Sequence, residues 1–136
     1  MTLEEIRAAQ ARTPAARLLG LTLESLAKGE ATLSFPVGPQ HAQEGGVVHG
    51  GLLSTAADSA CVYALRPEVN TSCDLTSIEF KLNFLRAART DGGPVRAHAK
   101  VVRSGRKVGV CEVDLHQDGE HLAKGLFSYL FFEPRG

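Results

Sequence analysis

The chain has 136 residues, of which 43% are hydrophobic and 22% charged, with 15 basic side chains against 15 acidic ones. That length supports one domain with a proper core, and the balanced charge leaves no electrostatic footprint for nucleic acid or an anionic membrane. No apolar run reaches the roughly 18 residues of a membrane span, and the charged opening (Glu4, Glu5, Arg7, Arg12, Arg17) argues against a signal peptide. Cys61, Cys73 and Cys111 are odd in number and lie in apolar or strand-like surroundings. Small buried thiols in a reducing cytoplasm are therefore expected.

The first 19 residues read as an N-terminal helical segment of a single domain spanning 1–136. Leu3, Ile6 and Gln10 recur at helical spacing, and Thr13-Pro14 restarts a short helix with Thr as N-cap and Pro at its first position. Gly20 ends it. The period then changes to two. Leu19, Leu21 and Leu23 alternate with polar or small residues, and Ala31, Leu33, Phe35 and Val37 do the same after Lys28-Gly29, which predicts an antiparallel hairpin with one buried face.

Pro36, Gly38 and Pro39 break that strand, and residues 40–48 read as a loop. From Gly51 to Leu65 the chain is rich in Ala and Leu and apolar nearly all round, so it predicts a helix buried in the interior. Arg66-Pro67 stops it. Four strands follow, with Ile78, Phe80, Leu82 and Phe84, then Val95, Ala97, Ala99 and Val101, then Cys111, Val113 and Leu115 on their inward faces, and a long apolar run over 122–132. Asp91-Gly-Gly-Pro, Ser104-Gly105-Arg106 and Gln117-Asp118-Gly119 carry hairpin-turn chemistry. The fold class expected is α+β, one antiparallel sheet wrapped around one long buried helix.

Within that helix Asp58 is a lone carboxylate. Burying it costs several kcal/mol unless it is paired, hydrogen-bonded or protonated. It reads either as a structural aspartate hydrogen-bonded by Ser54 or as a nucleophile or general base. Gly50 and Gly51 permit a tight turn into the helix, and a backbone N–H at the helix start can donate to a developing oxyanion. His49 reads as a helix cap or a base. Ser77 and Thr76, at a strand start, read as polar strand residues or as groups that hold Asp58 or an attacking water.

The pattern Gln43-x5-His49-Gly50-Gly51-x6-Asp58, followed by Asp74-Leu-Thr-Ser-Ile-Glu-Phe-Lys-Leu-Asn-Phe-Leu-Arg86, resembles the phenylacetate-degradation (PaaI-type) branch of the hotdog-fold acyl-CoA thioesterases. The resemblance runs from about Leu18 to Phe132. It implies hydrolysis of a small or aromatic acyl-CoA, with Asp58 as the catalytic carboxylate, the Gly50 N–H polarising the thioester carbonyl and the Gln43 amide helping to polarise or orient substrate. It also implies that some of Arg86, Arg89, Arg103 and Arg106 contact the phosphates of coenzyme A. No cofactor and no metal is expected. A rival from another class is a non-catalytic hotdog protein that binds acyl-CoA as a sensor or carrier. A hotdog dehydratase would want a His–carboxylate pair, which Asp58 lacks in its sequence neighbourhood.

Helix geometry adds an expectation about assembly. Gly50 and Asp58 are eight residues apart, roughly 12 Å along one helix, too far to serve one carbonyl. A homodimer with shared active sites, further paired into a tetramer, is therefore expected, as the resemblance also implies.

Overall fold

The computed structural model describes residues 1–134; Arg135 and Gly136, the last two residues of the expected domain, lie outside the described residues. Helix α1 (Leu3–Arg12) opens on a reciprocal cap in which Thr2 Oγ1 accepts from the Glu5 N–H while the Glu5 carboxylate accepts from the Thr2 N–H. It buries Ile6 and Gln10 but leaves Leu3 exposed, so its apolar stripe is narrower than the spacing suggested. Helix α2 (Pro14–Leu19) has Pro14 at its first position, yet the Thr13 hydroxyl turns back to the Ala9 carbonyl instead of capping it.

Strands β1 (Thr22–Ala27) and β2 (Glu30–Phe35) form the expected antiparallel hairpin. Then comes helix α3 (Gly50–Leu65), which starts one residue earlier than the sequence suggested, followed by β3 (Asp74–Phe84), β4 (Val95–Ser104), β5 (Val108–Gln117) and β6 (Glu120–Phe132). All six strands join one antiparallel sheet in the order β1-β2-β4-β5-β6-β3. Among the described residues no helix is long and apolar enough to cross a membrane.

That order corrects one reading of the turns. β3 and β4 are not neighbours, so Asp91-Gly-Gly-Pro belongs to a crossover and not to a hairpin. The other two turns do close hairpins, and at the β5–β6 turn both Asp118 (φ 50°) and Gly119 (φ 78°) take the left-handed conformation that matches strand twist.

Helix α3 lies across β2, β4 and β5. Ala56, Ala57, Ala60, Cys61 and Ala64 are fully buried against the sheet, where they meet Leu33, Phe35, Ala97, Ala99, Val113 and Leu115 in one core. Small side chains let the helix backbone come close, and the larger side chains from the strands fill the space, each fully buried one contributing ~1.5–3 kcal/mol.

The two sheet edges differ. Along β1, Arg7 and Gln10 of α1 donate to the carbonyls of Leu23 and Leu21 at 3.0 Å each, which ties that edge to α1. At the other end β3 extends past the helix. Its expected inward face is only partly covered: Leu82 packs against the core, whereas Ile78, Phe80 and Phe84 are 54%, 50% and 53% exposed. Phe80 gains only a stacked contact with Phe127, at 4.6 Å between ring centres.

β3 is held to β6 by a close approach at Gly125, where an added Cβ would run into the Lys81 carbonyl oxygen and sit 3.1 Å from the Leu82 Cα. Both are backbone atoms with little freedom to retreat. Gly125→Ala should therefore lower stability by roughly 1–3 kcal/mol. Urea unfolding of the purified variant checks this, and an unchanged midpoint would show that the two strands can separate without penalty.

Candidate active site

The start of α3 is built by His49. Its Nδ1 accepts from the Gly51 N–H at 2.8 Å, and its carbonyl accepts from Leu52 and Leu53 at 3.0 and 3.4 Å. The first four N–H groups of a helix have no partner within it. Here His49 takes three of them, and the Gly50 N–H is left without an acceptor among the described residues. Because Nδ1 is the acceptor, the His49 proton belongs on Nε2, and the nitrogen that could act as a base is already occupied.

The loop before the helix is pinned at both ends. Gln43 N–H donates to the Val47 carbonyl at 2.8 Å, Val48 N–H to Ala88 at 2.9 Å and His49 N–H to buried His41 at 2.8 Å. The Gln43 side-chain oxygen accepts from the Gly45 N–H, which leaves its amide NH2 as the outward donor. Between this loop, the helix start and the end of β3 is a cavity of about 360 Å³ lined by Gln43, Val48, Gly50, Leu53, Phe84 and Arg86. The structure thus brings together three of the residues singled out by sequence. Phe84 was not among them, although a Cβ on Gly50 would stand 3.1 Å from its ring. Gly51 is exposed beside the His49 ring, and His49 itself faces an open cleft with Glu44.

Asp58 lies two turns further along α3 and is half-buried. Ser54 does not hydrogen-bond it. The Ser54 and Thr55 hydroxyls bond back to the carbonyls of Gly50 and Gly51, each at 2.9 Å. The partner is Tyr129 on β6, whose fully buried phenol donates to Asp58 Oδ1 at 2.6 Å, with the Asp58 carbonyl at 3.1 Å. Burial, then the neighbouring Cys61 thiol and the Asp58 carboxylate, push the Tyr129 phenol far above the usual range, so it stays a donor. The signal for Tyr129 was present in the sequence as a lone phenol in a long apolar strand, since a buried Tyr O–H needs a partner.

Ser77 pairs in register with Tyr129 and so projects from the same sheet face as the Asp58 partner; Thr76 pairs with Leu130 and belongs to the other face. Within the chain, Asp58 and Gly50 remain at the separation their spacing dictates. The four arginines divide in two groups. Arg86 pairs with Glu120 at 3.0 Å and Arg89 with Asp118 at 3.0 Å, both at the end of the sheet near the start of α3. Arg103 and Arg106 flank the β4–β5 turn, at the end of the sheet where Gly109 packs on Leu65 and Phe131, and make no ion pair among the described residues.

Residues 45–124, which hold the helix start, Asp58 and the first five residues of β6, match the thioesterase superfamily. The medium/long-chain acyl-CoA thioesterase YigI of Salmonella typhimurium is 29% identical over 135 residues, covering 86% of this chain and 84% of that protein. A mutant thioesterase PA1618 from Pseudomonas aeruginosa superposes with a TM-score of 0.86 at 27% identity, covering 98% of this chain and 96% of that one. The PaaI protein of the Escherichia coli phenylacetic acid degradation operon shares the fold, with a TM-score of 0.86 at 22% identity over 98% and 93% of the two chains. With its sheet wrapped around α3 and a free N–H at the helix start, the chain belongs to the thioesterase superfamily and has its hotdog fold.

Proposed function

We propose that this protein is a cytoplasmic acyl-CoA thioesterase acting on a small or aromatic acyl group. The observation that carries the reading is the Gly50 N–H, unshared among the described residues, at a residue that lines a cavity together with Gln43 and Arg86. A donor fixed in advance at a helix start stabilises negative charge as it develops on a carbonyl oxygen. The Gln43 NH2 supplies a second donor, and Val48, Leu53 and Phe84 offer an apolar wall.

Asp58 supplies the reacting carboxylate. As a general base it takes a proton from water while the water oxygen bonds to the thioester carbon. The C–S bond then breaks, and the coenzyme A thiolate leaves and takes up a proton. As a nucleophile it displaces the thiolate itself, and water cleaves the resulting mixed anhydride. Thiol release measured across short, aromatic, medium and long acyl-CoA esters tests the reading. Turnover of the short or aromatic esters is the expected outcome; a preference for long chains would align the protein with YigI, and binding without turnover would make it a carrier.

Asp58→Asn and Asp58→Ala should lose at least about 100-fold in turnover while remaining folded. His49→Ala should lose less, because its role is to cap the helix and position Gly50. A reversed ranking would make His49 the base.

Two chains complete one site in this reading. The bare edge of β3, with Ile78, Phe80 and Phe84 half exposed, is the kind of edge that pairs with a second strand. Two-fold pairing of β3 with its copy would continue the sheet, lay the second α3 over that apolar face and set Gly50 of one chain opposite the carboxylate of the other. Two such dimers make the tetramer. Co-expressed Gly50→Val and Asp58→Asn chains should regain part of the activity, since mixed dimers hold one intact site. Proven mixed dimers without activity would remove the shared-site assignment.

Arg86, Arg89, Arg103 and Arg106 are assigned to the nucleotide end of the substrate. Two chains are also what lets both groups of arginines serve, because they sit at opposite ends of each sheet. Neutralising each in turn should raise KM for acyl-CoA more than it lowers kcat. A flat KM across all four would mean that the nucleotide extends into solvent.

A further inference from the structure

We propose that Tyr129 is a positioning residue for the reaction, holding Oδ1 of Asp58 so that Oδ2 alone faces the thioester. The inference rests on the reading of Asp58 as the reacting carboxylate. Its physical basis is separate, and lies in where the second strand from the sheet edge meets the helix.

A carboxylate on a helix can rotate about its last torsion, which exchanges its two oxygens. The Tyr129 hydroxyl stops that exchange. It stands 2.6 Å from Oδ1 on a ring that is itself fully buried, and so it cannot follow a moving carboxylate. The bond is short and charge-assisted, the stronger kind. A hydroxyl has one proton, and of its two possible acceptors the carboxylate oxygen is nearer than the Asp58 carbonyl at 3.1 Å. No other side chain among the described residues hydrogen-bonds the Asp58 carboxylate. Ser54 and Thr55, the polar residues one turn earlier on α3, are committed to helix carbonyls.

The titratable groups facing the pair are two thiols. Cys61 is on α3 itself, with its thiol pushed up chiefly by burial and then by Cys111. Cys111 is on β5 and donates its S–H to the Cys61 carbonyl at 3.5 Å. From β3 the nearest residues on the same face, Leu75, Ser77 and Phe80, are all neutral. Tyr129 is therefore the one side-chain donor to the Asp58 carboxylate among the described residues. A donor to a carboxylate favours the ionised form, and removing it makes that form harder to keep.

The test compares wild type with Tyr129→Phe, which deletes the hydroxyl and keeps the ring. The expected result is a kcat lower by roughly 10- to 100-fold, KM for acyl-CoA unchanged, and the acid limb of the pH–kcat profile moved up. Should Tyr129→Phe not fold, a second route is 3-fluorotyrosine incorporated in a Tyr63→Phe background, where residue 129 is the one tyrosine left. The more acidic phenol is a stronger donor, and the acid limb should move down. Asp58→Ala run in parallel separates the two ideas. If Asp58→Ala keeps its activity, the carboxylate assignment fails. If Asp58→Ala is dead while the tyrosine variants keep the wild-type kcat and acid limb, or lose kcat with the limb unmoved, the positioning role is overturned.

Discussion

Helix α3 is apolar on nearly every side, but the sheet of its own chain covers only one of them. The fully buried face, Ala56, Ala57, Ala60 and Ala64, is made of the smallest side chains available to a core, so the helix backbone approaches β2, β4 and β5 closely. The opposite face keeps Asp58 and Val62 half open. Because the helix sits over the middle of the sheet, β3 is displaced to the edge beyond it, and the aromatic face of β3 looks past the helix into solvent. The position of the helix thus decides both where the core closes and where the molecule stays open.

The same helix carries the polar groups that matter, and a buried helix tolerates polar groups only when each is answered. At the N-terminus His49 answers three N–H groups with one nitrogen and one carbonyl and leaves the fourth, on Gly50, unshared among the described residues, at a residue that lines the cavity with Gln43. Two turns on, Tyr129 answers one oxygen of Asp58. In each case the protein satisfies all but one of a set of equivalent polar groups. What remains is a single donor and a single acceptor, the minimum that acyl transfer to water requires.

Much of this was legible in the residues alone. Period-two alternation located the strands, the glycine pair and the Ala-rich run located α3, and the spacing from His49 to Asp58 pointed to a thioesterase of the hotdog type, as the family match shows. The spacing also fixed the distance between Gly50 and Asp58, since helix rise is a property of the backbone and not of its surroundings. Local chemistry was enough for these features because each depends on neighbours in sequence.

Long-range pairing was not legible. Nothing in Asp91-Gly-Gly-Pro says that β3 runs to the far edge of the sheet, so a hairpin was expected where the chain crosses over. Alternation in β3 marked Phe80 and Phe84 as inward, and they do share the core-facing side, but only tertiary structure shows that the helix leaves them half exposed. Ser54 was the natural partner for Asp58 by helical spacing, whereas the actual donor is Tyr129, 71 residues away. The sequence by itself determined the elements, the motif and the separation of donor from carboxylate along one helix. Tertiary structure alone decided which strand lies bare at the edge and which hydroxyl holds the carboxylate, because both depend on strand order, and strand order is set by how the whole sheet packs around α3.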